Sequence, residues 1–192
     1  DSRPRALLGR VLGRDFDSIA FGSSREIDAL FDAAATSQRA ELAGALRSRN
    51  VVALGHAVAR ALHERGVPPT AIVDRASLVR TRGIDFQGVF GAGSTKSGEG
   101  MSASKSEKGR RKSLVVVGNG MVSYKLCELL SEYDNGETYD ISVFCEEPRP
   151  AYDRVKLTSF FEKDSADELL LAGADWYKEK RIRLLLGERA VR

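Results

Sequence analysis

The sequence predicts an α/β protein made of two partial parallel-sheet units, and three observations carry that prediction. Between Leu114 and Leu130 a short apolar strand runs into two glycines and then an amphipathic helix. A second apolar strand, Tyr139 to Cys145, comes next and ends in Glu146 and Glu147. Upstream, between Ser18 and Arg65, strand and helix patterns alternate again. Strands alternating with helices imply parallel pairing, because each crossover helix returns the chain to the same end of the sheet.

The upstream unit starts with a strand at Ser18 to Phe21 that ends at Gly22-Ser23-Ser24. The next helix has Ile27, Leu30, Phe31 and Ala34 on one face, and Ser23 and Glu26 have the spacing of a capping box at its start. A helix over Ala40 to Arg47 leads to a strand at Val51 to Leu54. Gly55 then opens a third helix, from about Ala57 to Arg65, which closes at Gly66 before Pro68 and Pro69. This order gathers helix N-termini at one sheet edge, where N–H groups and helix dipoles suit anions.

Residues 91–112 contain Gly, Ser, Lys, Glu and Arg with almost no apolar side chains, which reads as a flexible linker. The predicted organisation is therefore a domain over 1–90, the linker over 91–112 and a second domain over 113–192. The basic run Lys108-Gly-Arg-Arg-Lys112 has no interleaved aromatic residues, so a solvated tail explains it better than a nucleic-acid patch. Met101, inside the linker, is a plausible initiation residue for the downstream unit.

In that downstream unit Gly118 makes the tight turn out of the strand, and Gly120 lets the backbone approach a pyrophosphate. The first helical turn, from Met121, offers unpaired N–H groups to the anion. The helix carries Met121, Val122, Leu126, Leu129 and Leu130 at helical spacing, and Asp134-Asn135-Gly136 supplies the next turn. The carboxylates of Glu146 and Glu147 stand roughly twenty residues beyond the glycine turn, where a ribose hydroxyl is held. An acid there disfavours a 2′-phosphate, so NAD or the adenosine half of FAD suits this Rossmann-like βαβ unit better than NADP. Ser123 replaces the third glycine of the usual fingerprint, and its hydroxyl is expected to bond back to a carbonyl of the preceding turn.

Thirty basic and 27 acidic residues leave the chain slightly positive, giving no electrostatic case for nucleic acid or a membrane as partner. No apolar run approaches the roughly 20 residues of a membrane helix, and no secretory signal opens the chain, so a cytoplasmic location is expected. Cys127 and Cys145 lack a Cys-x-x-Cys or His-rich companion and read as buried thiols. His56 and His63 are isolated, and no metal is expected. The chain also reads as cut at both ends.

These residues carry two resemblances. Val-Val-Val-Gly-Asn-Gly-Met-Val at 115–122, Glu-Glu-Pro-Arg-Pro-Ala-Tyr-Asp-Arg-Val-x-Leu at 146–157, and Trp176-Tyr177 before Ile182-x-Leu-x-x-Gly187 closely resemble the N-terminal FAD-binding part of the assimilatory NAD(P)H nitrite reductase large subunit, in the pyridine nucleotide-disulfide oxidoreductase superfamily. The resemblance implies FAD as cofactor, with Gly118, Gly120, Met121, Ser123, Glu146, Glu147, Tyr152 and Arg154 around it. Arg154 can pair with a pyrophosphate oxygen or sit at the flavin edge, Tyr152 can pack on an apolar part of the cofactor, and Pro148 and Pro150 stiffen the loop. In that family electrons pass from NAD(P)H to FAD, then to iron–sulfur and siroheme centres that reduce nitrite to ammonia. Only the flavin segment is represented here, and its catalytic residues are not identified by the match. Residues 148–192 hold no cysteine, which sets aside disulfide exchange, and Ser159 stands where related ferredoxin and rubredoxin reductases often have a lysine.

Asp15-Phe-Asp-Ser-Ile-Ala-Phe-Gly-Ser-Ser24, Val51-Val-Ala-Leu-Gly-His-Ala-Val-Ala-Arg-Ala-Leu62 and Arg65-Gly-Val-Pro68 resemble the C-terminal part of uroporphyrinogen-III synthase. That resemblance implies tetrapyrrole carboxylates held by backbone N–H groups at Ser23, Ser24 and Gly55. Val58 replaces the family's usual threonine and removes a hydroxyl donor. Uroporphyrinogen III is the precursor of siroheme, so joining the two is biologically coherent, and a read-through or gene-model fusion fits equally. The expected function is flavin electron transfer. The alternatives are tetrapyrrole cyclisation as the working activity, and a non-catalytic nucleotide-binding module.

Overall fold

The computed structural model describes residues 5–79, 85–91, 110–134, 136–156 and 166–187. Its centre is a six-stranded, all-parallel sheet of order β3-β2-β1-β4-β5-β6. The strands are β1 (Ser18–Phe21), β2 (Asn50–Ala53), β3 (Ala71–Ile72), β4 (Lys112–Val117), β5 (Tyr139–Cys145) and β6 (Arg183–Leu186). The helices are α1 (Arg5–Leu12), α2 (Ser24–Ala33), α3 (Arg39–Arg47), α4 (His56–Glu64), α5 (Arg75–Val79), α6 (Phe86–Gly91), α7 (Met121–Asp134) and α8 (Ala174–Glu179).

The central strands are apolar runs because both of their faces are covered. Ile19 and Phe21 of β1, with Val115 and Val117 of β4, pack against Leu7 of α1, Ile27 and Leu30 of α2, Leu46 of α3 and Leu62 of α4. Their neighbours in sequence, Ala20, Leu114 and Val116, face Leu78 of α5, Phe90 of α6, Leu126 and Leu130 of α7 and Tyr177 of α8. The period-2 alternation of strand side chains thus divides the interior into two cores on opposite faces of the sheet.

The two sequence units share this sheet. β1 pairs in parallel with β4, from Ser18 opposite Leu114 to Phe21 opposite Val117. Each unit alone would leave its first strand as an edge with an unpaired row of N–H and C=O groups, and their pairing removes both edges. Asp17 locks the junction: its N–H donates to the Ser113 carbonyl at 2.9 Å, and its Oδ2 accepts from the Ser113 N–H at 2.7 Å. α6 reinforces it from the opposite side, since the Phe90 ring meets Tyr139 of β5 edge-on at 6.2 Å and the Ser18 hydroxyl donates to the Phe90 carbonyl. Of the expected linker, Gly91 closes α6 and Arg110 to Lys112 lead into and begin β4; residues 92–109 lie outside the described residues. Met101 and Ser159 also lie outside them, as does Asn135 of the expected turn.

The expected elements are present with ends shifted by a residue or so. α3 begins at Arg39, β2 at Asn50 and α4 at His56. α1, α5, α6 and α8, and the two-residue β3, were not legible in the sequence; all are short.

Candidate functional site

The sheet order reverses between β1 and β4, so the chain leaves these adjacent strands toward opposite faces and a crevice opens at their C-terminal ends. The crevice there has a volume of about 310 Å³, at the small end of the range for ligand sites. Gly22 and Ser23 after β1, Arg25 and Glu26 at the start of α2, residues 118–123 around the start of α7, Cys145 to Glu147 at the tip of β5, and Arg154 form its walls.

Gly118 adopts φ +92°, a turn conformation that a side chain strongly disfavours, and its N–H donates to the Phe144 carbonyl at 2.8 Å. The turn is thereby tied to β5, while Gly120 borders open space: a Cβ there would meet nothing within 4 Å. The first turn of α7 leaves N–H groups without intrahelical partners, and residues 120–123 line the crevice. Asn119, between the glycines, accepts a hydrogen bond at Oδ1 from the Tyr177 hydroxyl at 3.0 Å, and its Nδ2 is buried with no hydrogen-bond partner among the described residues. Tyr177 is itself buried on α8, so the Trp176-Tyr177 motif braces the glycine turn from beneath.

Ser123 corrects one expectation. Its hydroxyl is buried and makes no bond back to the preceding turn. It packs instead against Gly22, where a Cβ would come within 2.5 Å of Ser123 Oγ and 3.2 Å of the Val117 carbonyl oxygen. Close approach at this crossing is therefore secured by the glycine that follows β1 rather than by a third glycine on α7.

α2 has the expected capping box, with Ser23 as N-cap and the Ser23 N–H donating to Glu26 Oε2 at 2.8 Å. Burial pushes the Glu26 carboxyl up to about 7, against the hydrogen bonds from Ser23 and the charge of Arg154, which lower it. On the far wall Glu147 pairs with Arg154 Nη2 at 2.8 Å, and the Arg154 guanidinium lies 5.5 Å from the centre of the Tyr152 ring. Tyr152 bridges to Leu170 and is not among the residues lining the crevice. A second, mostly apolar hollow of about 280 Å³, walled by Leu78, Tyr124 and Leu171 among others, shares Met121 and Val122 with the first.

Of the residues the sequence pointed to, Gly118, Gly120, Met121, Ser123, Glu146, Glu147, Arg154 and Ser23 meet at this one crevice. Ser24 begins α2, and Gly55, at φ +116°, caps α4; neither lines the crevice. The N–H of Ser23, expected to bind a ligand carboxylate, is donated to Glu26. Sequence reasoning missed Gly22, Arg25, Glu26, Asn119, Val122 and Cys145 as lining residues. The capping-box spacing named Glu26 only as a helix-start residue, and Asn119 stood between the two glycines that drew attention. Cys127 and Cys145 are buried free thiols. Among the described residues there is no group of three or more His, Cys, Asp or Glu placed to hold a metal ion, and no helix long and apolar enough to cross a membrane.

A parallel, doubly wound sheet with a glycine turn at its point of strand-order reversal places the chain among the Rossmann-like α/β proteins. No family model matches it. The chain is 46% identical over 78 residues to the nitrite reductase (NADH) large subunit of Escherichia coli (strain K12), a stretch that is 41% of this chain and 9% of that protein. It is 44% identical over 75 residues to the nitrite reductase [NAD(P)H] large subunit of Klebsiella oxytoca, covering 39% of this chain and 8% of the relative. It is 32% identical over 83 residues to the assimilatory nitrate reductase electron transfer subunit of Bacillus subtilis (strain 168), covering 43% and 11%. The chain thus spans about a tenth of the length of the curated relatives it matches. Among solved structures, a mutant uroporphyrinogen III synthase from the extremely thermophilic bacterium Thermus thermophilus aligns with 97% of this chain and 78% of its own, at 17% identity and a TM-score of 0.40.

Proposed function

We propose that the chain binds FAD in the crevice between β1 and β4, as the flavin-binding segment of an NAD(P)H-dependent nitrite reductase large subunit joined to a partial uroporphyrinogen-III synthase-like segment. The observation that carries this reading is the meeting of three features on one wall: the Gly118–Gly120 turn, the N-terminus of the 14-residue α7, and the acidic tip of β5. The similarity to nitrite reductase large subunits supports the same assignment.

The residues fit the adenosine diphosphate half of such a cofactor. The N–H groups at the start of α7 receive a phosphate, and Gly120 leaves room for its approach. Glu146 accepts from a ribose hydroxyl, while Asn119 Nδ2 is a buried donor awaiting an acceptor. Arg154, held by Glu147 and stacked on Tyr152, places a planar cation at the crevice mouth. Bound FAD would accept a hydride from a reduced nicotinamide and pass electrons on; in the family those electrons reach iron–sulfur and siroheme centres.

The test is a flavin-fluorescence titration of the purified chain and of Gly120→Val with FAD. The Val side chain points into open space, so the variant should melt within about 1 kcal/mol of the parent while losing FAD affinity by at least tenfold. Equal affinity in the two proteins would remove the glycine turn from the site.

A further inference from the structure

The crevice contains a charge that an anionic ligand has to meet. Glu26 is the third residue of α2, and the capping hydrogen bond from the Ser23 N–H turns its side chain back toward the end of β1. The carboxylate thereby reaches across to the other sequence unit and covers Gly118: a Cβ built on Gly118 would overlap it, whereas one on Gly120 meets nothing. The space above the first glycine is taken by an acid, and the space above the second is open.

Two helix N-termini, of α2 and α7, face this crevice, and both favour an anion. One of the two already has its anion in Glu26. Resting on the dinucleotide reading above, the geometry points to Glu26 as the residue that sets the affinity of the crevice for a phosphate-bearing ligand: ionised in place it repels the ligand from the Gly118 turn, and neutral or turned away it admits it. The surroundings leave that role to Glu26. From its own helix Arg25 borders the crevice, and from the tip of β5 Glu146 opposes its ionisation. Arg154 favours ionisation but is paired with Glu147. Burial keeps the Cys145 thiol neutral, its pKa pushed up to about 11. Since burial brings the Glu26 carboxyl to about 7, the change of charge falls within an accessible pH range.

The experiment is FAD titration of the full chain, as wild type and as Glu26→Gln, from pH 5.5 to pH 8.5, with a melting curve at each pH. FAD has no group that titrates in this interval, and Gln preserves the capping hydrogen bond to Ser23. The wild-type Kd should weaken as pH rises through about 7, approaching tenfold per unit above it. E26Q should lack that slope and bind at least tenfold more tightly than wild type at pH 8.5. Equal affinity and slope in the two proteins, or weaker binding by E26Q, overturns the role of Glu26 while leaving the dinucleotide reading intact. Absence of FAD binding by both folded proteins at every pH overturns the dinucleotide reading and this inference with it. If E26Q does not fold, the wild-type slope decides, and a pH-independent Kd counts against the proposal.

Discussion

Glu26 has two structural consequences that a sequence scan does not separate. As the reciprocal partner of Ser23 it fixes the start of α2, and as a buried acid over Gly118 it makes folding sensitive to pH. Its carboxyl titrates near 7 in the folded chain and near 4.5 when exposed, so between those values the folded state holds the extra proton. Stability from this group is therefore greatest below about pH 4.5, falls as pH rises toward 7, and is level above. Denaturant melts should show Glu26→Gln gaining on wild type over that window, by on the order of 1–2 kcal/mol after allowance for partial solvent screening. A gain that is constant from pH 4.5 to pH 8 would contradict the buried-acid assignment. The capping role was readable from Ser23 and Glu26 being three residues apart. The position over Gly118 was not, because it depends on a contact between segments more than ninety residues apart.

At the level of elements, the crossing of β1 and α7 shows why fingerprint reading stopped short. The third-glycine position of the α7 unit is Ser123, and the space it requires is provided by Gly22, in the turn between β1 and α2 of the other unit. Replacing Gly22 by Ala should destabilise the chain by about 1–3 kcal/mol, and Ser123→Gly in that background should restore part of the loss. A double-mutant cycle by chemical denaturation should give a coupling of at least about 0.5 kcal/mol, and strict additivity would mean that the two residues do not meet. β1, β5, α2 and the capping and glycine signals were legible because they are local in sequence. The short α5, α6 and α8 carry too few turns to show a period, and the role of Tyr177 depends on a hydrogen bond from its hydroxyl to Asn119, 58 residues away in sequence.

At the scale of the molecule, the alternation of strands and helices in each half announced parallel sheet, and the sheet is parallel throughout. Its continuity was hidden, since pairing of β1 with β4 depends on two apolar strands finding each other across a polar stretch that offers no signal of which edges will meet. That pairing creates the strand-order reversal, and the reversal creates the crevice, so both halves build the candidate site. Amide chemical shifts of the isotopically labelled full chain during titration with FAD at pH 6 report whether both halves bind the ligand. Saturable shifts are expected in two groups with one dissociation constant: residues 22–26 from the first half and residues 118–123 from the second. Shifts confined to the second group, or located away from both, would contradict a shared site at the β1–β4 junction.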